Sequence, residues 1–386
     1  MGRLNFYTTE TNYNTSKNSF DYPTVAYVNE TEEVKWMSIQ DKYAREYLTI
    51  EIVEDNTTLR HSIQGSGIKS ILYSLDNGKT WTQSSDRFLS ISGLTAGQKV
   101  LFKGTRGTGT YSYIDDGETG TGDAYYSGFS TSARIKVFGN IMSLAYGDDF
   151  VDNTTLVAKE EFAWLFQSCH NIIDCSNLIL PATTLTDSCY RSMFNGCTPL
   201  TTAPELPATT LADSCYREMF RGCTSLTTAP DLPVTTLTNY CYDSMFYGCS
   251  SLTTAPELPA TTLTESCYYQ MFYGCTSLTT APVLPATTLA NYCYQYMFHG
   301  CTALTTAPVL PAKTLANNCY AGMFWNCSNL NYIKAMFTTT PSSTYTSGWV
   351  SGVAATGTFV KNRAATWNVT GNNGVPTGWT VQTASA

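Results

Sequence analysis

A nine-residue block, C-Y-x-x-M-F-x-[GN]-C, is written six times between Cys189 and Cys327. Its first cysteines are Cys189, Cys215, Cys241, Cys267, Cys293 and Cys319, and its second are Cys197, Cys223, Cys249, Cys275, Cys301 and Cys327. Each copy begins 26 residues after the last, without slippage. Between copies runs T-x-L-T-T-A-P-x-L-P-[AV]-[TK]-T-L, as in Thr224 to Leu237. An unbroken period this short points to a solenoid, in which each repeat packs only on its neighbours.

At about 100° per residue, Cys189, Tyr190, Met193, Phe194 and Cys197 share one face, and Arg191, Ser192 and Asn195 the other. That division predicts a short amphipathic helix in every repeat. Asp187, Asp213, Asn239, Asn291 and Asn317 stand two residues before a first cysteine and are expected to cap it. At Glu265 the pattern breaks, and Thr264 is the alternative cap. Leu226 to Pro230 suits a short strand with Leu and Ala turned inward, ended by a proline that has no N–H to give. One repeat buries too few apolar groups to offset the entropy of ordering it, so stacking is obligatory. A degenerate copy, Glu161 to Cys169, opens the stack. Glu161 takes the place of the first cysteine there, as a solvent-facing cap requires. After Cys327 the pattern decays through Asn331-Tyr-Ile-Lys-Ala335, which reads as the other cap.

The motif C-Y-x-x-M-F-x-G-C-x-x-L-x-x-A-P-x-L-P resembles the BspA-like subclass of bacterial surface leucine-rich repeats, over roughly residues 161–335. The resemblance implies a curved solenoid with a parallel sheet on one side, serving as a binding or spacer surface without chemistry of its own. Threonine-rich, proline-punctuated copies of this kind resemble variants in gut Bacteroidales and their tailed phages. Phe20 to Trp36, read as two short strands around a turn, resembles N-terminal segments of fibre-type phage structural proteins.

All 14 cysteines lie between Cys169 and Cys327. Two cysteines of one helix would stand about 12 Å apart, beyond disulfide reach. Equivalent cysteines on adjacent coils come closer, which leaves an inter-coil bridge open. The favoured reading is buried free thiols acting as small apolar fillers. With no C-x-x-C pair, no zinc site is expected. The net charge is -8, and residues 171–330 hold only Arg191, Arg217, Arg221 and Lys313 as basic side chains. Nucleic acid is therefore not an expected partner. Met1 to Glu10 contains no apolar h-region, no cysteine precedes Cys169, and no run of 18 apolar residues occurs. Neither a signal peptide, nor a lipid anchor, nor membrane insertion is expected.

Four organisational units are expected: an attachment segment over 1–46, a β-sandwich over 47–148, the solenoid over 149–335, and a C-terminal β cap over 336–386. The class is mainly β with short helices. Strands are predicted at 47–53, 69–75, 98–103 and 133–138 from their alternation, with a turn at Asp76-Asn77-Gly78. In the C-terminal segment, Gly357 to Lys361 and Gly378 to Gln382 read as strands, among Trp349, Trp367 and Trp379.

Ser74 to Trp81 fits the S-x-D-x-G-x-T-W box of sialidases. A propeller would repeat that box, so the favoured reading is a hairpin whose Asp76 bonds its own turn above Trp81. The Asp115 to Asp123 loop has four carboxylates that could hold Ca²⁺ but lacks the spacing of an EF-hand. Gly104 to Gly109 lacks the ending of a phosphate loop. His61, His170 and His299 have no nucleophile motif around them. No catalytic residue, cofactor or metal ligand is assigned.

Within the repeats, the residue after Met-Phe is Asn195, Arg221, Tyr247, Tyr273, His299 and Trp325 in turn. Stacking places these in one outward column with Tyr269 and Tyr296 beside it. Such a row suits sugar rings or a protein partner; the alternative is an ordinary soluble surface in a tyrosine-rich chain. A rival column, Glu205, Asp231, Glu257, Val283 and Val309, lies on the opposite side. The expectation is a phage virion structural protein, a head or tail fibre or decoration, docked on other virion proteins through 1–46. It would present the repeats to a host-surface glycan or protein, with an oligomer on the particle compatible. The alternative is a bacterial surface or secreted adhesin.

Overall fold

A computed structural model describes residues 24–28, 34–62, 71–84, 88–104, 128–156 and 158–385. Residues 1–19, the Asp115 to Asp123 loop and nearly all of Gly104 to Gly109 lie outside them. The chain is mainly β, with several sheets and few short helices.

Strands β1 (Thr24–Val28) and β2 (Val34–Ser38) pair antiparallel, as Phe20 to Trp36 predicts, and α1 (Ile39–Ala44) follows. Seven strands then make one sheet: β3 (Leu48–Ile52), β5 (Ile71–Ser74), β6 (Thr82–Gln83), β8 (Lys99–Gly104), β10 (Ile135–Asn140), β11 (Ile172–Asp174) and β12 (Leu178–Ile179). Its order is β11-β10-β3-β8-β5-β6, with β12 also on β10. A second sheet runs β7-β4-β9, from β4 (Thr57–Ser62), β7 (Phe88–Leu94) and β9 (Gly128–Thr131). All four strands predicted from alternation are present as β3, β5, β8 and β10. Helix α2 (Met142–Tyr146) covers β8, its Ser143 hydroxyl donating to the Phe102 carbonyl at 2.9 Å.

The hairpin of β5 and β6 contains the S-x-D-x-G-x-T-W box. Asp76 accepts from the Thr80 N–H at 2.9 Å, the Thr80 hydroxyl at 2.7 Å and the Ser74 hydroxyl at 2.8 Å. Those bonds hold its carboxyl down at about 2. Asn77 and Gly78 have φ of 59° and 82°, as the tight turn requires. Trp81 packs edge-on against Tyr47 at 4.9 Å. The box is a turn organiser, as the hairpin reading holds.

The repeat blocks are not helices. Alternate N–H groups bond within the coil and to the next coil. Cys189, Arg191, Met193, Asn195 and Cys197 each donate to the carbonyl three residues back. Tyr190, Ser192, Phe194 and Gly196 donate instead to Cys215, Arg217, Met219 and Arg221, at 3.0, 2.8, 2.9 and 2.7 Å. Every fourth residue takes a positive φ: Ser188, Ser192 and Gly196 at 55°, 52° and 79°, and their counterparts through Asn326. A four-residue period buries almost the same positions as the 3.6-residue helix over two turns, which is why side-chain pattern alone points to a helix. An α-helix would spend each N–H inside its own coil; here half of them join the coils.

The expected cap residues join the same ladder. Asp213, Asn239 and Asn291 accept from the N–H of Asn239, Glu265 and Asn317 on the following coil, at 3.1, 3.2 and 3.2 Å. Thr264 donates to the Thr238 carbonyl at 2.7 Å instead of capping a helix. The expected strand at Leu226 to Pro230 is reduced to one parallel bridge per coil, Thr202 to Thr228 to Thr254 to Thr280. Leu226 is buried there and Ala229 half-buried.

Inside, two aromatic ladders run the length of the stack. Tyr190, Tyr216, Tyr242, Tyr268, Tyr294 and Tyr320 stack at 5.8 to 6.0 Å. Phe194, Phe220, Phe246, Phe272, Phe298 and Phe324 stack at 5.7 to 5.8 Å. The phenylalanine ladder continues through Phe166 and Phe129 to Phe102 in the sheets, with steps of 5.5, 5.4 and 4.9 Å. One core therefore crosses from the sheets into the coils. The first coil is no solvent-facing end: the Phe129 N–H donates to the Leu165 carbonyl at 2.8 Å, and β11 and β12 continue β10 in parallel. Accordingly Glu161 is fully buried, contrary to the exposed cap its charge suggests.

Beyond Cys327 the sequence motif is lost but the ladder is not. Gly322, Phe324 and Asn326 donate to Ser347, Trp349 and Ser351 at 2.8, 2.8 and 2.7 Å. Gly348 and Gly352 keep the positive φ at 60° and 73°. Here α3 (Ser343–Thr346) leads into the coil. Strands β13 (Tyr332–Ala335), β14 (Thr358–Lys361) and β15 (Thr380–Thr383) pair in parallel, the last two where strands are predicted. Trp349, Trp367 and Trp379 are buried, each indole N–H donating to a carbonyl: Gly374 at 3.0, Phe337 at 3.3 and Ala354 at 2.7 Å.

All fourteen cysteines are free and buried. The second thiol of each repeat donates to a phenylalanine carbonyl one coil back, as Cys223 does to Phe194 at 3.2 Å and Cys301 to Phe272 at 3.1 Å. Burial pushes every thiol up, Cys249 and Cys267 to about 12. At neutral pH the reactive thiolate is therefore suppressed. A thiol reagent should label almost none of the cysteines in the native protein and nearly all after denaturation. Extensive labelling of the folded chain, or disulfides after isolation under alkylating conditions, would contradict the packing. Phe246→Ala, between ring neighbours each 5.8 Å away, should cost about 3–5 kcal/mol in denaturant unfolding. An unchanged midpoint would show that Phe246 does not lie in the ladder.

Candidate functional site

The turn ladder fixes which side chains leave the core. Of each C-Y-x-x-M-F-x-[GN]-C block, the invariant Cys, Tyr, Met and Phe point in. The position after Phe is half-buried or exposed in every copy, and the two positions after Tyr range from half-buried, as at Arg191, Arg217, Tyr269 and Tyr296, to buried, as at Asp243 and Ala321. The outward column assembles as a contiguous strip. Tyr247 stacks on Tyr273 at 4.4 Å and Tyr273 on His299 at 4.2 Å, both nearly parallel. His299 meets Trp325 at 5.5 Å, tilted by 57°. Tyr296 reaches Tyr269, His299 and Trp325 at 6.4, 6.0 and 6.4 Å. All six residues singled out in the sequence are thus brought together.

The Tyr247, Tyr273 and His299 rings lie closer than those of the core ladder, which keep the coil spacing of 5.7 to 6.0 Å. They lean onto one another, so Tyr247, Tyr273 and His299 use their faces among themselves and turn edges and polar tips outward. Arg221 covers the far face of Tyr247 at 4.4 Å. Trp325 ends the stack tilted and 39% exposed, and its indole is the broad surface left for a partner. Gly322 makes room for this end: a Cβ there would sit 2.2 Å from the Tyr296 ring. Burial lowers His299 and raises Tyr273, keeping both rings neutral near pH 7.

The other half of the strip is polar, and the sequence reading left it aside. Arg217 lies 3.2 Å from Asp243 and 3.8 Å from Glu218; Arg221 lies 3.6 Å from Glu218. Ser192 donates to Glu218 at 2.9 Å, and Ser244 to Asp243 at 2.7 Å. Asp243 is buried, and desolvation raises its carboxyl to about 6 against the pull of Arg217. The legible signal was that Arg191, Arg217 and Arg221, three of four basic residues in 171–330, fall on adjacent repeats.

The rival column also forms. Glu205, Asp231 and Glu257 are exposed, and Val283 and Val309 are 79% and 46% exposed. A groove of about 270 Å³ opens beside the first two, lined by Thr202, Pro204, Thr228 and Pro230. Among the described residues, no group of three or more His, Cys, Asp or Glu is placed to hold a metal ion. No helix among them is long and apolar enough to cross a membrane.

No curated protein matches the chain. Residues 163–279 and 217–346 match the model of the BspA type leucine rich repeat region, in 6 copies. The matched stretches coincide with the coils that carry the strip, so these coils are similar to a BspA type leucine rich repeat region.

Proposed function

We propose that the chain is a non-enzymatic attachment protein: a virion structural protein, fibre or decoration of a tailed phage, that offers its outer strip to a host-surface glycan or protein. The observation that carries the binding role is the strip itself, four coils of aromatic side chains in van der Waals register, held outward by a backbone bonded coil to coil. BspA type repeats support a surface-binding or adhesive role. Buried, unpaired thiols support folding in a reducing cytoplasm, from which lysis would release a virion protein. The segment 1–46 would dock on other virion proteins. A bacterial surface or secreted adhesin is the second reading, favoured by the repeat type.

The test uses particles assembled with Tyr273→Ala and Trp325→Ala together. The double variant should be incorporated and melt close to the parent, because both side chains lie outside the core, while adsorption to host cells falls at least about tenfold. Undiminished adsorption would remove the strip as the site. Absence of even the parent protein from purified particles would remove the virion assignment.

A further inference from the structure

The polar end of the strip carries an uncompensated positive charge in an acidic chain. Residues 171–330 contain nine acids and four bases, yet three of the bases meet on two neighbouring coils. Arg191 and Arg217 are equivalent positions one repeat apart, and their coils are joined by the Ser192 N–H donating to the Arg217 carbonyl at 2.8 Å. Two carboxylates face this group. Asp243 serves Arg217, and Glu218 is shared by Arg217 and Arg221. Among the described residues Arg191 has no carboxylate within ion-pair distance, and its Nε lacks a hydrogen-bond acceptor. Its guanidinium lies over the Trp164 ring at 5.2 Å, which holds it in place without neutralising it. A planar, fixed guanidinium of this kind suits a bidentate anion.

We propose that the Arg191–Arg217–Arg221 end of the strip binds the anionic group of an acidic polysaccharide, whose neutral sugars continue along the aromatic edges toward Trp325. This rests on the reading of the strip as a binding face. A polyanion such as nucleic acid would require charge on every coil, whereas here one charged end is followed by phenol hydroxyls and an imidazole. That sequence matches an acid set among hydroxyl-bearing units. The groups facing Asp243 are Arg217, Glu218, Ser244, Arg191, Tyr240 and Tyr269. As pH falls through about 6, Asp243 takes up a proton, Arg217 keeps only the Glu218 carboxylate that it shares with Arg221, and the end of the strip becomes more positive. Anion binding should therefore tighten between pH 7 and pH 5.

The experiment titrates the full chain with polygalacturonate, dextran sulfate and neutral dextran by calorimetry, at low and high salt. An acidic polymer, by carboxylate or sulfate, should bind, weaken as salt rises, and bind more tightly at pH 5. Arg191→Gln should lower that affinity about tenfold and Arg191→Lys should restore part of it. Because Arg191→Gln could disturb the stack, its melting temperature is measured alongside, and Arg221→Gln serves as a second variant. Acidic-polymer binding unchanged in both glutamine variants overturns the proposal. So does binding of neutral dextran alone, which would leave the strip as a binding face. Binding of none of the three also overturns it, while the adsorption of the Tyr273 and Trp325 variant judges the strip independently.

Discussion

The structure depends on the N–H groups that each coil sends to the next. In every block four alternate amides leave their own coil, and the intervening ones close tight turns. Each such bond contributes about 0.5–1.5 kcal/mol net, but a missing partner leaves a buried amide unsatisfied at greater cost. A single repeat has nowhere to send them. The 26-residue register is strict because a one-residue slip would misplace the entire set at once. The cost appears in the dihedrals: residues such as Glu218, Gln270 and Tyr296 hold φ of 56°, 52° and 55°, a region that L side chains rarely adopt. The neighbouring coils over-determine that conformation.

Side chains reinforce the same direction. Thiols reach back to phenylalanine carbonyls, Asp and Asn side chains receive the next coil's amide, and Thr201, Thr224 and Thr279 hydroxyls donate to carbonyls one coil earlier. Cysteine fits its inner position because it is small, apolar and still a weak donor. With the inner positions committed, variation within the block falls mainly on three positions, the two after Tyr and the one after Phe. A uniform interior and a varied exterior are one consequence of the ladder, and they convert a repeat into a platform whose surface can change without altering its frame.

Much of this was legible. The period, the buried set, the degenerate first copy, four strands and the Asp76 turn follow from spacing and residue type. The helix expectation fails because Cys189, Tyr190, Met193, Phe194 and Cys197 satisfy a four-residue turn as well as a helical face. The available sign was Gly196, Gly222, Gly248, Gly274, Gly300 and Asn326, residue types suited to positive φ, but Ser, Glu and Tyr at the preceding such positions obscure it. Glu161 misleads because the sheets extend the stack on its N-terminal side. The coil after Cys327 is hidden because Trp349 and Val350 replace Met and Phe while the backbone pattern persists. In β7, Leu89, Ile91 and Leu94 carry a readable inward pattern; in β4 it is masked by buried His61, which burial holds neutral with its pKa lowered to about 3. Of the candidate site, the aromatic column was visible in the spacing. That its faces are used internally, leaving Trp325 open, follows from how the side chains lean between coils, which spacing alone does not fix.

Nuclear magnetic resonance couplings across hydrogen bonds address the ladder directly. In a perdeuterated sample, a long-range N-to-carbonyl correlation experiment should connect the Phe220 amide to the Met245 carbonyl, 25 residues ahead, and the Gly222 amide to the Tyr247 carbonyl. Correlations from these amides to carbonyls four residues back would mean that the blocks are helices, and the coils would then be held by side chains alone.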